Sequence, residues 1–465
     1  MDSLRPDFLS CYGYRKETSP NIDRLAEEGV VFTHAFAQAT WTRPSGASML
    51  SSTYPSVHGV NGMHDVLPVH LPTISQHLKR SGFRTIGISS MGNISPHFGF
   101  GRGFDVFIEL YKEKKVIERR RKVIIKNPQW EPHFGTAENF VPIATSDDVN
   151  EFILPLLVQH GNEHIFIFVW SLDTHMPYFH RDMRLAHFCL QDDIRLAEEI
   201  DKATSPSEID LFMRLYEDMI VYNDYHLGFL IEKLKELGLY EETFLIITGD
   251  HGEAFGEHGA TAHGRVPHDE QIRVPLIMKF PFSQFAGKIS SIVQHIDIVP
   301  TILDYFNIAD GQMLIQGKSV MPTLRGKQVK VNDYAFTEFL HRDFASYVAI
   351  RTESHKLMAV RRREITFREW LKERKQLWPS QRFVYKPLYL FDIGNDPFEK
   401  ENIIGKRKDI ARHSHSLLKS IIRNNNRLGR KLRKNRNNFK NLNKEKDVEI
   451  DTQVASQLKA LGYFE

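Results

Sequence analysis

Apolar positions recur along this chain with two alternating periods, one helical and one strand-like, and their succession predicts strands and helices by turns. PNIDRLAEEGV (20–30) carries apolar residues at helical spacing, opens on Pro20 and closes on Gly29. The strand VVFTHAFAQ follows, and PSGASMLSST begins a second helix with Pro44 in its first turn. TISQHLKRSG predicts a helix ending at Gly82, and FRTIGISS the next strand. SDDVNEFILPLLVQH (146–160) is an amphipathic helix with Ser146 as its cap. It leads into IFIFVW, a near-continuous apolar run typical of a strand covered on both faces. Residues 208–237 form a long amphipathic helix, TFLIITG, VPLIMKF and SSIVQH are strands, and IDIVPTILDYF is a helix.

Beyond residue 330 the texture changes. FASYVAIRTESHKLMAVRR and PLYLFDIGNDP predict a small antiparallel sheet, with turns at Thr352–His355 and Gly394–Pro397. The stretch 419–446 is rich in Lys, Arg and Asn, with Glu445 its single acidic residue, and is expected to be a solvated helix or partly disordered. The basic insertion 112–126 is likewise expected to be solvated. The pattern thus predicts an α/β domain over 1–330, a small antiparallel-sheet subdomain over 331–418, and a basic tail over 419–465 ending in a short helix.

Composition narrows this picture only a little. Hydrophobic content of 41% and charged content of 26% are ordinary for a globular protein, and 465 residues give ample core. A net charge of +3 does not advertise an anionic partner, and the basic stretch lacks the interleaved aromatics of a stacking groove, so no nucleic acid is expected. Two cysteines, Cys11 and Cys189, are too few for a disulfide framework or a cysteine metal cluster and fit a reducing compartment. No stretch approaches the roughly 18 apolar residues of a membrane span, and no signal peptide opens the chain, so a cytoplasmic location is expected. Asp2 should follow a buried strand, yet only Met1 precedes it. On this reading the first strand is missing, the true start lies upstream or the chain is a fragment, and Asp2 sits on a frayed terminus. An upstream segment could also carry a signal peptide.

The chemistry enters at the ends of the strands. Thr42, Asn93, the pair Asp173–His175 and the pair Asp250–His251 each follow a strand-like segment, and Asp2 stands where the missing first strand would end. In open α/β sheets, ligands bind outside the carboxyl ends of the strands, so these residues are expected to converge on one site. Two carboxylates, an imidazole and a hydroxyl suit one divalent cation of the Mg, Mn or Ca type. Thr42 could instead merely cap the following helix, His175 could be an ordinary loop histidine, and Asn93 could serve a turn.

In order along the chain, DSLRPDFLSCYGYRKETSPNIDRLAEEGVVF, TRPSGASMLSSTYPSVHGV, DTHMPY, ITGDHGEAFGEHG, IRVPLI and the closing LKALGYF resemble the signatures of the sulfatase family of the alkaline phosphatase superfamily. The resemblance implies an alkaline-phosphatase-like α/β fold, a mostly parallel central sheet flanked by helices with a smaller C-terminal α+β subdomain. It implies Asp2, Asp250 and His251 as metal ligands, and Thr42 as the metal-bound nucleophile. It also implies that His175 and Asn93 contact substrate or leaving-group oxygens, with His175 protonating the leaving group, and that His263 contacts substrate or metal.

The departures redirect the chemistry. The family's sulfatases carry Cys or Ser at the nucleophile position, which is oxidised to formylglycine; Thr42 is neither, and no formylglycine is expected. Gly46 stands where the signature usually ends in Arg, and Ser3 stands for the second Asp of the opening pair. These changes shift the expected substrate towards phosphate esters. The sequence reading is therefore a metal-dependent hydrolase of an anionic ester, a sulfuric ester or phosphodiester, acting through Thr42. A phosphoglycerol-type transferase and a catalytically degenerate anion-binding protein remain its alternatives, and the oligomeric state is open.

Overall fold

The computed structural model describes the chain except residues 127–142, 179–182, 191–192, 194–204, 312, 341–344, 365–381, 439–449, 462 and 464–465. The basic tail expected over 419–446 therefore lies partly outside the described residues, as does part of the loop region 176–207.

The helices are α1 (Pro20–Glu28), α2 (Thr42–Ser51), α3 (Ile74–Arg80), α4 (Lys114–Lys126), α5 (Ser146–His160), α6 (Pro206–Glu236), α7 (Ile298–Tyr305), α8 (Lys408–Asn438) and α9 (Thr452–Ala460), with several single turns between them. Strands β1 (Val30–Phe36), β2 (Arg84–Ser89), β3 (Val106–Glu109), β4 (Ile165–Trp170) and β5 (Leu245–Thr248) alternate with the first six helices. After them come the short strands β6 (Ala254–Phe255), β7 (Thr261–Ala262) and β8 (Arg273–Val274), then β9 (Leu276–Lys279) and β10 (Gly287–Gln294). A three-stranded parallel sheet has the order β3-β2-β4, and a five-stranded mixed sheet the order β10-β1-β9-β5 with β8 also on β1.

Side-chain alternation along these strands builds two apolar layers. Val30, Phe32, Leu276 and Met278 face one core with α2, α3 and α7, while Val31, Ile86, Ile88 and Ile277 face another with α1 and α6. Helices on both faces of the sheets make this an α/β fold. A separate antiparallel sheet runs β11 (Ala335–Phe339), β12 (Ser346–Arg351), β13 (His355–Glu364) and β14 (Arg382–Asp392). The predicted turn at Thr352–His355 closes with Thr352 N–H donating to the His355 carbonyl at 2.8 Å.

IFIFVW was expected to be covered on both faces; Phe166 and Phe168 pack on one core and Ile165, Ile167 and Val169 on the other, though all five are only half-buried. Among the described residues β4 pairs only with β2, and β5 only with β9, so neither is closed in on its second edge. Asp2 is not frayed: it is fully buried, its N–H donates to the Ser171 carbonyl, and the Met1 ammonium donates to Thr248, each at 3.0 Å. Ser146 is the first helical residue rather than the cap; Thr145 caps α5.

The basic elements are not simply solvated. Arg120 of α4 is buried and pairs with Asp147 and Asp148, two carboxylates in the first turn of α5. Likewise α8 buries Leu418, Ile421 and Ile422 against Phe336, Val348, Ile350 and Leu357 of the antiparallel sheet. Amphipathic spacing lets one face of α8 join the core while its Lys and Arg stay in water.

Candidate active site

The site is assembled where segment 1–5 crosses the carboxyl ends of β4 and β5. Tyr216, buried on α6, fixes that segment: its hydroxyl donates to the Ser3 carbonyl and accepts from Arg5 N–H, both at 2.8 Å. Asp2 is thereby held against Trp170, whose indole N–H donates to Oδ2 at 2.9 Å. Ser3 orients the acidic pair instead of extending it. Its hydroxyl donates to Asp2 Oδ1 at 3.0 Å and its N–H to Asp250 Oδ1 at 2.9 Å.

Thr42 is the first residue of α2, all ten residues of which are buried. Its hydroxyl lies 3.4 Å from Asp2 Oδ2, 3.3 Å from His251 Nε2 and 2.8 Å from the Tyr463 hydroxyl. Trp41 occupies the N-cap position, so the Thr42 side chain is not spent on capping. Gly46 is a close-packing position. A Cβ there would lie 2.6 Å from Ile94 Cδ1 and 3.3 Å from both Phe100 and Trp170, leaving no room for the usual arginine. His58, from the YPSVHG motif, supports α2 from below, its Nε2 3.1 Å from Ser48 Oγ.

Asp2, Asp250 and His251 are buried and offer ligand atoms within 4.8 Å of one another. The His251 Nδ1 faces the Gly252 carbonyl at 2.8 Å, which assigns the proton to Nδ1 and leaves a lone pair on Nε2. That lone pair lies 3.2 Å from Asp250 Oδ2, a buried acceptor with no hydrogen-bond partner. Burial, and then the Asp2 carboxylate, push the Asp250 carboxyl well above the usual carboxylate range. Burial also lowers His251, to about 3, so it is neutral. Converging acceptors, an orphaned carboxylate oxygen and a neutral imidazole are the donor set a divalent oxygen-preferring cation needs.

His175 and His263 complete the cluster from the other side, their rings 4.9 Å apart. His175 Nδ1 faces the Met176 carbonyl, and burial lowers its pKa, so Nε2 is an acceptor. His263 differs. Burial lowers it, but Glu253, 3.1 Å from Nδ1, together with Asp2 and Asp250, raises it overall.

Asn93 is buried beside Arg43: its Oδ1 accepts from Arg43 Nη2 at 2.6 Å, and its Nδ2 has no partner. Asp173 ties down the start of α5, accepting from Ser146 N–H at 3.0 Å and from Asn223 at 2.8 Å. Conversely Trp170, Glu253, Arg43 and Tyr463 belong to the site or its wall and were not singled out. Glu253 was within reach, two residues after His251 in GDHGEAF; Tyr463 had only its place in LKALGYF as a signal.

A second cluster, His258, His268, Glu270 and Glu399, is separate from this one. The Lys356 ammonium lies 2.6 Å from Glu399 and 2.7 Å from Asp269, so a cation is already built into it. It is an ion-pair network fastening β13 to the loop after β7.

An α/β protein with an acidic–imidazole cluster around a hydroxyl, all at the carboxyl edge of its sheets, falls in the class of hydrolases acting on ester bonds. Residues 1–308 match the sulfatase family and residues 256–376 the C-terminal region of N-sulphoglucosamine sulphohydrolase; the chain belongs to the sulfatase family. It is 24% identical over 470 residues to an N-acetylglucosamine-6-O-sulfatase of Bacteroides thetaiotaomicron, covering 86% of this chain and 80% of that protein. It is 26% identical over 382 residues to iduronate 2-sulfatase of Homo sapiens, covering 70% and 67%. Among solved structures, a phosphonate monoester hydrolase of Agrobacterium radiobacter superposes with a TM-score of 0.67 at 20% identity, over 91% of this chain and 94% of that one. No helix among the described residues is long and apolar enough to cross a membrane.

Proposed function

We propose that this protein hydrolyses a sulfuric ester or phosphodiester through a covalent ester on Thr42, with no formylglycine. The observation that carries the reading is the Thr42 hydroxyl at the start of a buried helix, within 3.4 Å of both Asp2 and His251. The first-turn N–H groups of α2 face an incoming anion, and Thr42 Oγ attacks the sulfur or phosphorus in line while its proton passes to Asp2 Oδ2. Asp2, Asp250, His251 and Thr42 would hold one divalent ion, Ca, Mg or Mn, which lowers the hydroxyl pKa and offsets substrate charge when bound. His263, whose protonated form Glu253 favours, gives a proton to the leaving alcohol oxygen, the role the resemblance implied for His175. His175, its Nε2 unprotonated and facing the Tyr463 hydroxyl at 3.1 Å, accepts a proton from the water that resolves the ester, while the Thr42 oxygen leaves with the proton held on Asp2.

The filled space at Gly46 supports a substrate preference away from the usual sulfate pocket, since the customary guanidinium has nowhere to sit. Arg43 is a fully buried guanidinium in the first turn of the same helix. Its hydrogen-bond partners are the carbonyls of Gly62 and Met63 and Asn93 Oδ1, all neutral, and burial lowers it to about 9.

The test is hydrolysis of matched aryl sulfate, phosphodiester and phosphonate esters with Mn²⁺ or Ca²⁺, beside Thr42→Ala. One ester class should be turned over, and Thr42→Ala should abolish it. Turnover that survives Thr42→Ala refutes the covalent step; label transfer to an added alcohol instead of water would assign the transferase reading.

A further inference from the structure

Helix α9 lies 400 residues downstream of α2, yet it is built into the wall of the site. Val454 and Leu458 are fully buried in the core that α2 shares. Gln457, also fully buried, donates to the Ser90 carbonyl at 2.8 Å and accepts from Gly92 N–H in the turn after β2. Anchored this way, the segment after α9 directs Tyr463 into the catalytic cluster. Its hydroxyl is 2.8 Å from Thr42 Oγ1, 3.1 Å from His175 Nε2 and 3.3 Å from His263 Nε2. Its ring packs against Trp41 and against both histidines.

An ester undergoing attack must place an oxygen-bearing centre about 3 Å from the nucleophile and its leaving oxygen within hydrogen-bond reach of the acid. The Tyr463 oxygen already occupies the point that meets both conditions. Two non-bonded oxygens cannot share it, so no tetrahedral anion can reach Thr42 while Tyr463 is in place.

We propose that Tyr463 is an internal occupant of the anion subsite, an autoinhibitory plug that substrate must displace, held in register by the Gln457 anchor. The proposal rests on the ester-hydrolase reading of the Thr42 cluster. A site closed in nine molecules of ten binds its ligand about tenfold more weakly than the open form, because apparent affinity scales with the competent fraction.

The experiment measures binding of inorganic sulfate and inorganic phosphate to the full chain by calorimetry, in wild type, Tyr463→Ala and Gln457→Ala. Each is repeated in a Thr42→Ala background, where no chemistry occurs. Tyr463→Ala should bind its preferred anion about tenfold tighter and lower KM by a similar factor on any ester that is turned over. Gln457→Ala, which loosens the anchor without emptying the site, should move affinity the same way by less. Unchanged or weaker anion binding in Tyr463→Ala, or binding by none of the proteins, overturns the plug. Tighter anion binding without hydrolysis of any ester would keep the plug and overturn the hydrolase reading instead.

Discussion

Replacing Asp250 by Asn should make the metal-free protein more stable while abolishing its stabilisation by divalent ions. In the native site Asp250 Oδ1 is satisfied by Ser3 N–H, but Oδ2 is buried without a partner and faces the His251 Nε2 lone pair at 3.2 Å. A buried acceptor left unsatisfied costs about 1–3 kcal/mol. Above the folded Asp250 pKa, where the carboxylate is ionised, Asn keeps the Oδ1 acceptor, turns its amide into a donor towards His251 Nε2 and relieves this cost and the repulsion from Asp2 together; below it the protonated acid can donate to His251 itself and the gain disappears. Across a chain of this size that gain corresponds to a rise of about 1–3 °C in unfolding midpoint. The pH dependence has a fixed sign. Because the folded Asp250 pKa is raised, the folded state holds a proton that the unfolded state has lost, so its stability falls as pH rises above about 4 and stays lost above the folded pKa. Asn removes that slope.

A divalent ion at a hundred times its dissociation constant stabilises by about 2.7 kcal/mol, and this increment should vanish in the variant. Thermal unfolding in chelator, then with Mn²⁺ or Ca²⁺ titrated in, reads both effects. The two proteins should cross over, the variant higher in chelator and the wild type higher in metal. An Asn variant less stable than wild type in chelator would refute the orphaned-carboxylate argument; an undiminished metal shift would remove Asp250 from the ligand set.

Three further outcomes follow from the packing. Gly252→Ala sets a Cβ 2.1 Å from the Glu270 carbonyl, a backbone atom that cannot yield cheaply, and should cost about 1–3 kcal/mol in urea unfolding as well as displacing His251. Gly46→Arg should not restore a sulfatase-type arginine: the side chain meets Ile94, Phe100 and Trp170, so loss of folded protein on a thermal melt is expected and a gain in sulfate affinity would contradict the packing. His258 is lowered by burial but raised overall by Glu270, 2.8 Å away, so the pair's stability is fully present below about pH 6.5 and lost as pH climbs through the folded pKa. His258→Gln should flatten the decline in unfolding midpoint between pH 6 and 8.5, and an unchanged slope would assign that decline to other groups.

The alternation of strands and helices was legible because it depends on local periodicity, and bounds such as Pro20–Glu28 and Ser146–His160 follow from Pro, Gly and polar residues at element ends. Burial was less legible. IFIFVW looks fully buried by composition, but how much of a strand is covered depends on which neighbours pair with its edges. The same limit applies to basic segments: Arg120 and the apolar stripe of α8 become interior only through partners distant in sequence.

By itself the sequence determined the order of motifs, the hydroxyl at Thr42, the acidic and imidazole groups at strand ends, and the missing side chain at Gly46. Only the tertiary structure decided which of these meet. It turned Asn93 towards Arg43, committed Asp173 to the start of α5, separated His258 and His268 from the Thr42 cluster, and brought Tyr463 across 421 positions to Thr42. The physical reason is that residue type sets what a side chain can do, whereas convergence is fixed by long-range contacts, here Met1 and Asp2 bonded to Thr248 and Ser171, and Gln457 to Ser90.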